Sequence, residues 1–122
     1  MKKLLLVDDS ISILMSLQRN FKLTLKDQIE ITTAQDGTEA VKLYSEQKFD
    51  LIITDYKMPE LDGLEASKQI LQNDPDAKII FFTAWGDPKI IEEAKKCGIK
   101  AVIQKPSDAE ILLKQIRELL GI

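Results

Sequence analysis

Five short apolar runs, each followed by a stretch of helical periodicity, constrain the fold of this chain more than any single residue does. The runs fall at residues 3–7, 30–33, 51–54, 78–82 and 101–103, and the helical stretches at 11–23, 38–46, 64–72, 89–96 and 107–120. Strands that read as continuous apolar runs and alternate with helices are buried on both faces, which calls for parallel pairing with helices packed on either side. The punctuation agrees. Asp36-Gly37 precedes the second helix, Asp87-Pro88 supplies an N-cap and a first helical residue for the fourth, and Ser107 to Glu110 reads as a capping box for the fifth. The expectation is an α/β, doubly wound, five-stranded parallel sheet formed by residues 1–122 as one domain.

Composition removes several function classes. With 122 residues, 44% of them hydrophobic, the chain can bury one proper core and is short for two typical domains. Lys and Arg number 17 against 20 Asp and Glu, for a net charge of −3, and no basic block tracks a phosphate backbone. That argues against direct nucleic-acid binding. Lys2 and Lys3 precede an apolar run too short for a signal peptide, and no run approaches the ~20 residues of a membrane span. A cytoplasmic protein without a membrane partner is expected. The single cysteine, Cys97, permits no internal disulfide and reads as a buried, inert thiol. The absence of histidine excludes Ser-His and Cys-His catalysis and His-based zinc sites.

In a parallel sheet the carboxyl ends of the strands share one edge, where ligands bind at the switch in strand order. Asp8 and Asp9 close the first run, Asp55 closes the third, Thr83 follows the fourth, and Lys105-Pro106 follows the fifth. Taken singly, each has an ordinary explanation, since Asp and Thr cap turns and a lone Lys is usually solvated. Together they put three carboxylates in one cleft. Like charges a few Å apart resist joint ionisation, and a hard divalent cation with oxygen ligands relieves that conflict.

With these residues in place, the chain resembles the receiver domains of two-component response regulators over essentially its whole length. The matching residues are Val7-Asp8-Asp9-Ser10, Asp36-Gly37 with Glu39-Ala40, Asp55 with Met58-Pro59 and Asp62-Gly63, Thr83-Ala84, and Lys105-Pro106. The resemblance implies the flavodoxin-like strand order 2-1-3-4-5, with the switch between the first and third strands. It implies that Asp55 is the phosphoacceptor and that Asp9, Asp55 and the backbone carbonyl of Lys57 bind Mg²⁺ directly, with Asp8 acting through water. It also implies that Thr83 hydrogen-bonds the bound phosphoryl group, that Lys105 pairs with it, and that the Lys105-Pro106 peptide is cis. The phosphodonor would be a histidine kinase or histidine phosphotransfer domain. An ionised carboxylate needs no general base, which suits a chain without histidine. The protein would then catalyse only its own phosphorylation and dephosphorylation, and so would not be an enzyme in the usual sense.

Three stretches depart from the family pattern or stand out within it. Val102 occupies the fifth-strand position, three before the lysine, where the family usually carries an aromatic switch residue. Val102 is expected to pack as an ordinary β-branched strand residue, so that the chain switches less through that face or serves mainly as a phosphoryl carrier. Lys57 and Trp85 stand two residues after Asp55 and Thr83, where the resemblance implies control of water attack, so a longer-lived aspartyl phosphate is expected. In the first helix, Ile13, Leu17 and Phe21 form an i, i+4 stripe read as the core face, whereas Ile11, Leu14 and Met15 fall largely off it. Those three, with the Pro106 loop, are expected to receive the helical phosphodonor.

Rival functions fit less well. A haloacid-dehalogenase-like phosphatase also uses a strand-end Asp with Mg²⁺ but needs a second acid two residues on, where this chain has Lys57. The glycines at 37, 63, 86, 98 and 121 form neither G-x-G-x-x-G nor a P-loop. A phosphorylation-independent binding module would be expected to lack one of the five polar residues, and none is missing. The ending at Gly121-Ile122 fits a stand-alone receiver and the receiver half of a larger transcriptional or enzymatic regulator equally well. The downstream partner is not named by any of these residues.

Overall fold

A computed structural model of the chain describes residues 1–84, 86–105 and 109–122. Its five strands are β1 (Lys2–Val7), β2 (Ile29–Ala34), β3 (Leu51–Thr54), β4 (Ile79–Thr83) and β5 (Ala101–Gln104). Between and after them run α1 (Ile11–Leu25), α2 (Gly37–Glu46), α3 (Gly63–Asn73), α4 (Pro88–Cys97) and α5 (Ala109–Leu120). All pairings are parallel, and the sheet order is β2-β1-β3-β4-β5. Both the architecture and the strand order match the expectation.

Alternation along each strand divides the core in two. Leu4 and Leu6 of β1, with Leu51, Ile53 and Ile80, face a layer formed with α1 and α5 through Phe21, Leu25, Leu112 and Ile116. Leu5 and Val7, with Ile52, Ile79 and Phe81, face the other layer, which holds Tyr44, Ile70 and Ala94. Leu4, Leu5, Leu51 and Ile79 are fully buried, as the two-sided cover of a parallel sheet requires. Val102 is half-buried and packs against the second cluster, as a β-branched strand residue would.

The structure corrects the reading of α1. Its core face is Leu14, Leu17, Phe21 and Leu25, and Leu14 is only 4% exposed. Residues at 13, 17 and 21 are spaced by four, so each step drifts roughly 40° round a 3.6-residue helix, and a three-then-four spacing follows the buried face better. Ile13 is therefore left half-buried at the edge, while Ile11 and Met15, one turn apart, are each 56% exposed. A 3₁₀ turn at Lys26–Gln28, unexpected from the sequence, continues α1, and Lys26 there adopts φ 48°.

Capping follows the expected chemistry. Ser10, Asp36, Asp62 and Asp87 each accept a backbone N–H in the first turn of the helix that follows, and Pro88 opens α4. Ser107, Pro106 and Trp85 lie outside the described residues, and with them the capping box of α5, the Lys105-Pro106 peptide and the shielding indole. Cys97 is free and half-buried rather than fully buried, and burial pushes its thiol pKa up, consistent with an inert group.

Candidate functional site

The register of β1 against β3 pairs Leu6 with Ile53 and Val7 with Thr54, so the next residues, Asp8 and Asp55, leave the sheet side by side. The Asp55 N–H donates to the Val7 carbonyl at 2.9 Å, and the Asp8 N–H donates to the Ala34 carbonyl at 3.1 Å. Both acids are thus anchored by backbone bonds that extend the ladder. One carboxylate oxygen each from Asp8, Asp9 and Asp55 lies within 4.8 Å of the other two. The three acids differ in setting: Asp8 is buried, Asp55 half-buried and Asp9 exposed. Beside them an open cleft of about 490 Å³ is lined by Asp9, Asp55, Lys57, Met58 and Pro59.

Lys105 arrives from the far side of the sheet. Its backbone N–H donates to the Thr83 carbonyl at 2.8 Å, extending the β4–β5 ladder by one residue. Its Nζ donates to Asp8 Oδ2 at 2.6 Å and to Asp55 Oδ2 at 3.1 Å, and sits 5.4 Å from the centroid of the Phe82 ring. Burial works against the ammonium, but the bond to Asp8 and the charges of Asp55 and Asp8 outweigh it and raise the Lys105 pKa. For Asp8 the balance is reversed: burial raises its pKa despite the bonds from Lys105 and the Ser10 N–H. Thr83 ends β4 fully buried. The structure therefore gathers Asp8, Asp9, Asp55 and Lys105 into contact or near contact and places Thr83 beside Lys105 through the backbone.

The donor set fits a hard divalent ion. Three carboxylates supply oxygen ligands within 4.8 Å of one another, and the Lys105 ammonium bonds two of them, Asp8 and Asp55. Lys57 follows at the cleft, exposed.

Several supporting residues were not anticipated from the sequence. Ser10 N–H donates to Asp8 Oδ1 at 2.9 Å, an Asx turn that orients the buried acid. The Thr54 hydroxyl donates to the Asp55 carbonyl at 2.9 Å, and the Tyr56 N–H holds Asp55 Oδ1 at 2.7 Å. The aromatic face of Phe82 beneath Lys105 is a fourth. The Asp-x-Ser spacing at Asp8 was a readable signal. The Thr54 and Tyr56 contacts are local to Asp55, whereas the approach of Phe82 to Lys105 depends on strand register, which no local pattern announces.

Comparison with known proteins adds an independent line. The sequence profile of the response regulator receiver domain matches residues 4–117. The chemotaxis protein CheY of Listeria monocytogenes is 41% identical over 120 residues, covering 97% of this chain and 98% of that protein. Among solved structures, a CheY-like receiver domain from Methanospirillum hungatei superposes with a TM-score of 0.92 at 26% identity, covering 99% of this chain and 94% of that one. A second, the CheX-CheY-BeF3-Mg²⁺ complex of Borrelia burgdorferi, gives 0.84 at 27% identity, covering 98% of this chain and 90% of the other.

Proposed function

Since the chain belongs to the response regulator receiver family, we propose that it is a Mg²⁺-dependent phosphoacceptor that takes a phosphoryl group onto Asp55 from a histidine kinase or histidine phosphotransfer domain. The observation that carries this reading is the meeting of Asp8, Asp9 and Asp55 within 4.8 Å, with the Lys105 ammonium bonded to two of them. Asp55 Oδ attacks phosphorus in line, forming a P–O bond as the P–N bond to the donor histidine breaks. The electron pair leaves with the imidazole. Mg²⁺ held by Asp9, Asp55 and the Lys57 carbonyl, with Asp8 acting through water, would supply the positive charge that offsets repulsion between an anionic nucleophile and an anionic donor.

The remaining roles fall to the chain's own residues. Lys105 now spends its charge on Asp8 and Asp55, and once those acids have another counter-charge its ammonium is released to hold a phosphoryl oxygen. Thr83, at the end of β4, offers its hydroxyl to a second oxygen and draws the following loop inward, shifting a two-state equilibrium that partners read. The product is a mixed anhydride that water hydrolyses, so the chain modifies only itself and the mark is temporary. Lys57, exposed at the cleft, is placed to slow that attack. Because Val102 packs as a plain strand residue, a phosphoryl-carrier role is a second reading, favoured by the lack of an aromatic side chain at that position.

For the donor surface, burial of Leu14 narrows the expected patch to Ile11 and Met15, which share the solvent face of the first turns of α1. A cytoplasmic setting follows from a cytoplasmic donor, and no helix among the described residues is long and apolar enough to cross a membrane.

Intact mass after incubation with acetyl phosphate tests the central claim. A single phosphoryl adduct is expected in wild type with Mg²⁺ and none in Asp55→Asn or without Mg²⁺. An adduct that survives Asp55→Asn overturns the assignment. The decay of that adduct reads the lifetime, and a half-life of seconds counts against shielding by Lys57. Replacing Ile11 and Met15 together by Ser should slow transfer from a phosphohistidine donor about tenfold, the loss of roughly 1.4 kcal/mol of apolar contact, while leaving acetyl phosphate labelling unchanged. Equal slowing of both would remove the donor surface from α1.

A further inference from the structure

The loop between β3 and α3 carries Lys57 and roots in Asp55, so its position decides the geometry of the cleft. It closes on itself: the Gly63 N–H donates to the Tyr56 carbonyl at 2.6 Å, and the Gly63 Cα lies against the Asp55 carbonyl so closely that a Cβ there would overlap it. Its reversal passes through Glu60 at φ 70°, a left-handed conformation unusual for a residue with a Cβ. Met58 and Leu64 are buried on either side of the reversal.

A second glycine presses on the same loop from outside. Gly37 opens α2, and a Cβ on it would overlap the Leu61 carbonyl while coming within 3.1 Å of Ala66 Cβ. The two helix starts are alike in sequence, Asp36-Gly37-Thr38-Glu39-Ala40 and Asp62-Gly63-Leu64-Glu65-Ala66. They are alike in structure too, since each Asp accepts the N–H of its Glu at 2.8 Å. Gly37 at the start of α2 thus reaches Ala66 in the first turn of α3, and the loop that carries Lys57 lies between the two capped turns. Neither glycine has a positive φ, so what selects glycine at these positions is close approach to backbone and not left-handed geometry.

We infer that Gly37, remote from the reacting atoms, is a positioning residue for the phosphoacceptor cleft: it lets the first turn of α2 seat against the Leu61 carbonyl and so sets the height of the loop that presents Lys57. The inference rests on the proposed phosphoacceptor reading for its functional consequence, although the contact itself does not. A methyl group at position 37 would have to displace Leu61 O to the ~3.3 Å at which carbon and carbonyl oxygen ordinarily meet. The displaced atom is backbone, so no side chain can yield in its place, and the apex of a closed loop moves with its walls. Misplacement of catalytic groups by about 1 Å costs up to about a hundredfold in rate.

The test compares Gly37→Ala with Gly121→Ala. Gly121 has φ 69° and open space around it, so its substitution strains the backbone beyond α5 without touching the loop. Four readouts are taken: thermal midpoint, Mg²⁺ affinity by calorimetry with the metal alone, backbone amide shifts of residues 55–62, and the rate of acetyl phosphate labelling. Gly37→Ala should lower Mg²⁺ affinity, move the amides of Asp55 and Lys57, and slow acetyl phosphate labelling about ten- to a hundredfold. Gly121→Ala should lower the midpoint and leave Mg²⁺ affinity and labelling unchanged. Wild-type Mg²⁺ affinity, amide positions at Asp55 and Lys57, and labelling retained in Gly37→Ala would overturn the inference. Should wild type itself take no phosphoryl group, the functional reading fails, and the amide shifts and Mg²⁺ affinity still decide the role of Gly37. If Gly37→Ala does not fold, Asp36→Ala replaces it. Loss of that cap loosens the same turn without adding bulk, and unchanged amides at Asp55 and Lys57 would then overturn the inference.

Discussion

The two edges of the sheet manage buried charge in opposite ways. At the amino edge, polar groups meet complementary partners from the chain itself. The Tyr44 hydroxyl donates to Asp74 Oδ2 at 2.6 Å, Lys78 Nζ donates to the Leu119 carbonyl at 2.7 Å at the end of α5, and Lys3 N–H donates to Asp50 Oδ2 at 2.7 Å. At the carboxyl edge, three carboxylates crowd together, and the Lys105 ammonium bonds two of them, Asp8 and Asp55. The first arrangement ties α2 to the end of α3, and the start of β4 to α5, and leaves little for a ligand to gain. The second crowds like charges beside an open cleft, a conflict that a bound cation relieves. A groove of about 480 Å³ also lies near Tyr44 and Asp74, similar in size to the acidic cleft. Cavity volume therefore does not separate the two edges; crowded like charge does.

Lys105→Met is the most severe way to break this contrast. The Lys105 and Asp8 side chains are 14% and 5% exposed, so removing the ammonium leaves a buried carboxylate unpaired, a loss of about 3 kcal/mol. A urea unfolding midpoint measured without metal should show it. At a fixed Mg²⁺ concentration a hundred times the wild-type Kd, binding adds ~2.7 kcal/mol to wild type and more to the variant, whose acids, without Lys105, hold the metal more tightly. The gap between variant and wild type should then narrow, because the metal takes over the counter-charge. A gap of unchanged size would mean that Lys105 does not act as a counter-charge for the acids.

Tyr44→Phe sharpens the comparison from the other edge and should have a smaller effect, with Mg²⁺ binding untouched. The hydrogen bond from Tyr44 holds the Asp74 carboxyl below its ordinary 3.8, and burial followed by that same bond raises the Tyr44 phenol well above its ordinary 10.0. The Asp74 contribution to stability is complete above pH 3.8 and disappears as pH falls through the depressed folded value. The Tyr44 contribution is complete below pH 10.0 and disappears as pH rises through the raised one. Unfolding midpoints across pH should therefore fall at both ends in wild type; the variant should lose the alkaline fall and show a shallower acid one, since the Asp76 N–H and Lys48 still lower the Asp74 carboxyl. Asp8, whose folded pKa is raised by burial, contributes with the opposite sign in acid, favouring the folded state at low pH and losing that share as pH rises. An acid limb unchanged by Tyr44→Phe would show that the Tyr44–Asp74 bond contributes nothing in solution.

The legibility of the chain follows the range of the forces involved. Strand β3 was readable to the residue, and the helix starts at Asp36 and Asp87 were readable from cap chemistry, because each depends on a few neighbouring side chains. The face of α1 was misread at Leu14, since which of several apolar residues is buried depends on the helix's rotation against β1 and β3. The acids and Lys105 were legible as strand-end residues, and the family resemblance supplied their roles. The contacts of Thr54, Phe82 and Gly37 were not legible, although the recurrence of Asp-Gly-x-Glu-Ala was there to be seen.

By itself, then, the sequence determined the alternation of strands and helices, the parallel sheet that follows from doubly covered apolar strands, and the set of charged residues delivered to one edge. Hydrophobic periodicity and turn chemistry are local, and they act before the chain has a shape. Only the tertiary structure decided that Lys105 bridges Asp8 and Asp55 across a separation of 97 and 50 residues, and that Gly37 bears on the loop leading from Asp55. Those contacts come from strand register and from how closely two helix starts can approach, and both are settled by packing the whole core at once.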